Sequence, residues 1–282
     1  MQNSDANVSI NFWIVGVFFA IVLGGSSLGI LFMTRANSIV KTKIAENKEA
    51  ARPARIDAIT IQDKSCADCF DVAPMLKNFS KTNVVLSSHR AIERNDEEAK
   101  TLIAKYKIDK LPTIILRGEV QKNADLKTSL SRVGSIDGDT FVLRQIGGPY
   151  VSVATGEIKG RTELALITDS SCGTCYDVKK HQAILSQFGL NSKTKIIDIN
   201  TPEAKTLLEI YKIFLVPTFV LTGDVKEYQG LLKVWPQVGV VKNNSYIFDK
   251  GVASMGVYKD LKTGKIIDPS AQTKSGVATP KK

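Results

Sequence analysis

No cysteine in this chain of 282 residues stands alone. The four present, Cys66, Cys69, Cys172 and Cys175, fall into two Cys-x-x-Cys pairs, and an even count without a stray thiol suits an oxidising compartment without requiring one. Histidine is scarce, with only His89 and His181. Neither completes a metal set: the cysteine pairs lie about 100 residues apart, whereas zinc ribbons separate theirs by about 15–20. His181 also falls off the cysteine face of a helix with about 3.6 residues per turn. Both histidines are read as surface residues. No aromatic side chains interleave with a basic stripe, which argues against a nucleic-acid surface despite the net charge of +10. Lys and Arg are mixed with Asp and Glu along the chain, as on a solvated surface, and the one dense basic cluster is the tail ending in Lys281 and Lys282.

Charge is missing altogether from Phe12 to Met33. A run of roughly 22 such residues would span about 33 Å as a helix, enough to cross a bilayer, and Phe12 and Trp13 stand at its entry, where interfacial aromatics belong. Met1 to Asn11 contains no Lys or Arg, and no small-x-small site follows the run, so the segment is read as a retained anchor in contact with lipid rather than a cleaved signal peptide. Arg35, Lys41, Lys43 and Lys48 come directly after it. By the positive-inside rule they place the rest of the chain in the cytoplasm.

The length points to two domains, and the apolar fraction of 43% with 23% charged residues is ordinary for globular protein. After a polar stalk at residues 34–54, the chain repeats itself. Cys66 and Cys172 are about 106 positions apart, Leu111-Pro112-Thr113 and Val216-Pro217-Thr218 about 105, and Arg132-Val133-Gly134 and Gln237-Val238-Gly239 keep that offset. A fixed period is the mark of duplication. Each copy shows a β-rich run (Ile56 to Gln62; Leu164 to Thr168), the cysteine motif, an amphipathic stretch (Asp71 to Phe79; Asp177 to Phe188) and a second β-rich run (Val84 to Ser88; Thr194 to Ile199). A helical stretch follows (Asp96 to Tyr106; Pro202 to Tyr211), then x-Pro-Thr and an apolar strand ending at Gly118 or Gly223. Asp137-Gly138, Thr155-Gly156, Asn243-Asn244 and Thr263-Gly264 read as turns between short strands. Alternating strands and helices indicate an α/β sheet, with the cysteines where strand hands over to helix.

That placement predicts reactivity. The first turn of a helix carries unpaired N–H groups and about half a positive charge, which favours a thiolate. Cys66 and Cys172 are therefore the expected attacking sulfurs, and Cys69 and Cys175, three residues on, the resolving ones. The motifs differ inside: Asp68 puts a carboxylate beside the first pair, while Gly173-Thr174 brings none to the second. The Cys66–Cys69 couple is accordingly expected to be the more reducing. A purely structural bridge is a weak alternative, because an i, i+3 disulfide closes almost no loop.

Together, Cys-x-x-Cys at a helix start and a distant x-Pro-Thr before a strand resemble the thioredoxin superfamily. The resemblance covers about two-thirds of each copy and implies that the bonds before Pro112 and Pro217 are cis. It also implies that Pro112, Thr113, Pro217 and Thr218 shape a groove for a substrate backbone, and that Pro74 corresponds to the family's helix-kinking proline. The family's buried acid is missing, since the matching positions are Thr60 and Leu166, with Asp57 and Glu163 nearby but facing solvent; Ser65 and Ser171 replace its tryptophan.

The expected architecture is α/β: residues 1–11 as a tail, 12–33 as a transmembrane helix, 34–54 as the stalk, then two tandem thioredoxin-like domains at 55–160 and 161–268, each a mixed sheet flanked by helices with an added C-terminal hairpin, and a disordered basic tail at 269–282. The expected function is disulfide exchange with protein substrates, without cofactor or metal, alongside a redox partner in the membrane. Membrane-tethered proteins of this resemblance usually work outside, so an extracytoplasmic position is adopted against the charge bias. The rival is a non-catalytic, membrane-tethered adaptor.

Overall fold

The computed structural model describes residues 40–79, 83–122 and 124–274. The expected span at 12–33 lies outside these residues, as do the N-terminal tail and the last eight residues; among the described residues no helix is long and apolar enough to cross a membrane. Contacts divide the chain at Pro53. In the N-terminal unit, residues 40–51 form helix α1, closed by Arg52, whose Nε donates to Glu49 Oε1 at 3.0 Å.

The second unit holds two copies of one design. The first copy runs β1 (Ala54–Gln62), α2 (Ala73–Phe79), β2 (Val84–Glu93), α3 (Glu97–Tyr106), β3 (Lys110–Leu111), β4 (Thr113–Gly118), α4 (Ala124–Val133), β5 (Gly134–Asp137), β6 (Thr140–Leu143), β7 (Tyr150–Ser152) and β8 (Ile158–Lys159). The second runs β9 (Thr162–Thr168), α5 (Lys180–Ser186), β10 (Lys193–Asp198), α6 (Pro202–Tyr211), β11 (Leu215–Val216), β12 (Thr218–Gly223), α7 (Gln229–Val238), β13 (Gly239–Lys242), β14 (Ser245–Phe248), α8 (Val252–Met255), β15 (Tyr258–Asp260) and β16 (Ile266–Ile267). A last helix, α9 (Pro269–Lys274), replaces the disorder expected from residue 269; Asp268 Oδ1 starts it by accepting from Ser270 N at 2.9 Å.

The two main sheets have the same order, β2-β1-β4-β6-β5 and β10-β9-β12-β14-β13. The first two strands of each are parallel and the rest antiparallel. The central strands are apolar on both faces, and alternation sorts their side chains. In β4, Ile114 and Leu116 point into a cluster with Leu76, Leu126, Leu130 and Phe141, while Ile115 points the other way, to Leu102, Leu111 and Val151. Helices α2 and α4 thus cover one face and α3 the other. The second copy repeats this, with Leu185, Leu231 and Trp235 on one side of the sheet and Leu207 and Leu208 on the other. At the end of the third sheet strand, Gly118 and Gly223 adopt φ of +115° and +92°, and a Cβ there would fall 2.6 Å from Arg55 O and 2.3 Å from Arg161 O.

Of the four expected turns, Asp137-Gly138 and Asn243-Asn244 join strands of the main sheets. The other two form the added hairpins, β7–β8 and β15–β16, which extend the short strand ahead of each x-Pro-Thr into a separate three-stranded sheet. The copies meet through the end of the first: Gly148 N donates to Gly189 O at 3.0 Å, Tyr150 Oη to Glu227 Oε2 at 2.6 Å, and Tyr228 Oη to Gly160 O at 2.5 Å.

Candidate active sites

Each cysteine pair is a closed disulfide, Cys66–Cys69 and Cys172–Cys175, with Cα atoms 5.3 and 5.4 Å apart. The helix expected to begin at the first cysteine starts later, at Ala73 and Lys180. One turn bond forms within each motif, Cys69 N to Cys66 O and Cys175 N to Cys172 O. A helix would next require Phe70 N to reach Cys66 O, but Phe70 N donates to Pro149 O at 2.7 Å, and in the second copy Tyr176 N donates to Val257 O at 2.9 Å. The added segments draw the chain out of the helical path. Asp71 Oδ1 accepts from Ala73 N at the start of α2, and Asp177 Oδ1 accepts from Lys179 N in the turn that precedes α5; Pro74 lies in the first turn of α2, where its missing N–H costs nothing, rather than at a kink. A helix N-terminus therefore does not sit on Cys66 or Cys172, and the electrostatic case for them as attacking thiolates falls away.

The turns are held by a residue pair absent from the expected site set. Asp63 and Asp169, each three residues before the first cysteine, take up the N–H and hydroxyl of Ser65 and Ser171 on Oδ1, while their carbonyls accept from Cys66 N and Cys172 N. Asp63 pairs with Arg94 at 3.4 Å and Asp169 with Lys259 at 2.7 Å. Hydrogen bonding from Ser65, opposed by burial and helped by Arg94, holds the Asp63 carboxyl below its ordinary range. Burial raises Asp169, whose side chain is 0% exposed, but Lys259 and Ser171 outweigh it and keep its pKa low. The shared Asp-x-Ser-Cys pattern at the common offset was the available signal for both.

The bonds before Pro112 and Pro217 are cis, as is an unexpected third, Gly148–Pro149. Pro112 lines a cavity of about 400 Å³ with Cys66, Cys69, Asp63 and Thr60. The buried Thr60 shares a 3.1 Å hydrogen bond with the exposed His89, and Asp57 and Glu163 face solvent as expected. In the second copy Tyr176, next to Cys175, donates its hydroxyl to Pro217 O at 2.6 Å. Thr113 and Thr218 do not face a groove. They are 1% and 0% exposed, because their hydroxyls donate to Leu143 O and Phe248 O at the ends of β6 and β14. His181 is likewise no surface residue: at 1% exposed it packs against Phe219 and Phe248 with Nε2 3.1 Å from Tyr176 Oη.

Asp68 is not the bare carboxylate that the sequence suggests. Arg161, just ahead of β9, donates to it twice, at 3.0 and 2.8 Å, and holds its carboxyl below the ordinary range despite some burial. Cys66 Sγ lies 3.6 Å from Asp68 Oδ1. A second cavity, of about 670 Å³, opens between Cys69, Asp68 and Pro149 on one side and Arg161, Glu163 and Lys193 on the other.

No family model matches the sequence, and no curated protein does. Among solved structures, the crystal structure of a protein disulfide oxidoreductase from Aeropyrum pernix K1 is similar at 16% identity, over 62% of this chain and 78% of that one, with a TM-score of 0.19. A score of that size gives no common superposition, so the chemistry is read from this chain's own geometry. Two Cys-x-x-Cys disulfides follow the central strands β1 and β9 of a tandem α/β protein; the first shares a cavity with the cis-proline Pro112, and the second is linked to the cis-proline Pro217 through Tyr176.

Proposed function

We propose that this chain is a membrane-anchored thiol–disulfide oxidoreductase of two thioredoxin-like domains that exchanges disulfides with protein substrates. The observation that carries the reading is the duplicated pairing of a short-loop disulfide with a cis-proline: the Cys66–Cys69 bridge and Pro112 share one cavity, and Tyr176 ties the Cys172–Cys175 turn to Pro217. A bridge between residues three apart removes little chain entropy, so its presence in both copies is better explained by chemistry than by stability. Exchange proceeds through a mixed disulfide: a thiolate attacks one sulfur, the bridge opens, and the other sulfur leaves as thiolate. No cofactor is needed; electrons pass to or from a second thiol protein, which the anchor at Phe12 to Met33 places beside the bilayer, and the domains work on the extracytoplasmic side.

Insulin reduction by the full chain, with Cys66→Ser and Cys172→Ser separately and together, tests the enzyme reading. Activity should fall with each substitution and vanish with both. A rate indifferent to both would leave the adaptor, for which burial of the first cysteine of each pair, at 7% and 6% exposed, is the favourable observation. Labelling by a membrane-impermeant maleimide in reduced whole cells tests the side.

A further inference from the structure

Two opposite charges in the larger cavity are left unused by the protein. This space, of about 670 Å³, has the first cysteine motif on one wall and the end of the second copy's main sheet on the other. Its volume lies within the range of about 300–1,000 Å³ seen for small-molecule pockets. Where β9 and β10 begin and β12 ends, Lys193 pairs with Glu163, and Glu163 with Thr222. Partners in register project from the same face of a sheet, so an ammonium, a carboxylate and a hydroxyl stand in a row across three strands. Other polar groups of the cavity are engaged within the protein. Arg161 donates to both oxygens of Asp68 at 3.0 and 2.8 Å, and Thr162 shares a 2.6 Å hydrogen bond with Ser192. The row is free: among the described residues, the side chains of Lys193, Glu163 and Thr222 take part in no hydrogen bond or ion pair, and neither does that of the adjacent Asn191.

An ammonium and a carboxylate on neighbouring strands, about 4.8 Å apart at the backbone, match a ligand that carries the reverse pair on one carbon. Its carboxylate would face Lys193 and its ammonium Glu163. Cys69 lines the same cavity, so a sulfur on the ligand's side chain lies beside the bridge. We infer that this cleft binds a small thiol with an α-amino-acid head group, and that the first motif exchanges disulfides with it. The inference rests on the exchange reading above and adds a second class of exchange partner, confined to the first site. In the second copy the hairpin β15–β16 leads into α9 rather than into a sheet strand, so among the described residues no such row follows it. In the exchange step, a bond forms between the ligand's thiolate and one sulfur of the Cys66–Cys69 bridge. The bridge breaks, and its electron pair leaves on the other cysteine. A second small thiolate attacks the ligand sulfur of this mixed disulfide and expels the motif's cysteine as thiolate. The two small thiols lose two electrons and two protons, and the motif gains both.

Four thiols separate the parts of the head group: cysteine with both charges, cysteamine with the ammonium, 3-mercaptopropionate with the carboxylate, and 2-mercaptoethanol with neither. The oxidised full chain is mixed with each, quenched with N-ethylmaleimide at set times, and analysed by peptide mass spectrometry, which counts the opened bridges of each motif. The ratio of first-motif to second-motif opening cancels the intrinsic reactivity of each thiol. That ratio should be roughly tenfold higher for cysteine than for 2-mercaptoethanol, with the other two between them. Lys193→Met should remove the gain from the carboxylate and Glu163→Gln the gain from the ammonium; both positions are exposed. One ratio for all four thiols, a ratio that follows only one of the two charges, or ratios unchanged by both substitutions would each overturn the assignment. Failure of the exchange reading looks different: the ratios follow the head group and the substitutions, but insulin is not reduced.

Discussion

Arg161 grips the dipeptide inside the first cysteine motif, donating from Nε and Nη2 to the two oxygens of Asp68 at 3.0 and 2.8 Å. A residue at the head of the second domain thereby sets the charge beside the disulfide of the first. The second motif has Gly173 and Thr174 in the corresponding places, both exposed, and the space where a Cβ of Gly173 would go is empty.

Removing the guanidinium should restore the effect that the bare sequence suggests. In Arg161→Met, an unpaired carboxylate faces Cys66 Sγ, the thiolate is disfavoured, and the Cys66–Cys69 bridge becomes harder to reduce. The pair is half-exposed on both sides, so the glutathione equilibrium constant should move by no more than about fivefold. The Cys172–Cys175 couple should not move. Asp68→Asn should shift the first couple the other way, and a double variant should match Asp68→Asn alone.

Lys259→Met should be the costlier surface-to-core lesion. Asp169 is fully buried, and Lys259, 23% exposed, carries its counter-charge. Without the lysine, the carboxylate keeps only its bonds from Ser171, and stability at pH 7 should drop by roughly 2–3 kcal/mol, less than for a pair buried on both sides. The sign with pH follows from the depressed pKa of Asp169. Its stabilising contribution is complete above the unfolded value of about 3.9 and is lost as pH falls through the lower folded value. Urea titrations should therefore show the gap between wild type and Lys259→Met closing towards pH 3.

The duplication, the strand–cysteine order, the prolines and the glycine-terminated strands were legible because each depends on local chemistry: Gly118 and Gly223 must tolerate positive φ, and apolar runs such as Ile114 to Leu116 fit only a central strand. What was not legible depends on partners distant in sequence. The start of α2 was misplaced because Phe70 N is claimed by Pro149 O, about eighty residues away. Thr113 and Thr218 looked like groove residues because nothing local marks the carbonyls that bury them. Helices α4 and α7 went unread after the turns at Gly118 and Gly223; α7 contains Gly230 and Pro236, and burial of Leu231 and Trp235 overrides their weak propensity. Asp63 and Asp169 were within reach, since the repeat that aligned the cysteines aligns them as well.

His181 gives a second pH handle, with the opposite origin. Because Tyr176 donates its proton to Pro217 O, its oxygen accepts from Nε2–H of a neutral His181. Burial pushes the histidine down to about 4, from an ordinary value of about 6.5. Between those values the unfolded chain binds a proton that the folded chain refuses, so stability falls as pH drops from about 6.5 towards about 4, at up to about 1.4 kcal/mol per pH unit. Met75 occupies the matching place in the first copy. His181→Met should flatten this part of the profile in chemical denaturation and leave the slope below pH 4 unchanged.

The joint between the copies should couple folding to the first site. A Cβ on Gly148 would lie 2.2 Å from Tyr228 Oη and 2.9 Å from Gly160 O. The tyrosine is 6% exposed and hydrogen-bonded to that same carbonyl, so it has little room to yield. Gly148→Ala should cost about 1–3 kcal/mol by overpacking and split one calorimetric transition into two. Pro149, the next residue, is the one whose carbonyl holds Phe70 beside Cys69. Loosening the joint should therefore raise iodoacetamide labelling of Cys66 in the reduced protein while leaving Cys172 as it was, because Tyr176 is held by Val257, within the second copy. Equal gains at both cysteines would mean general destabilisation rather than a joint that acts on one site.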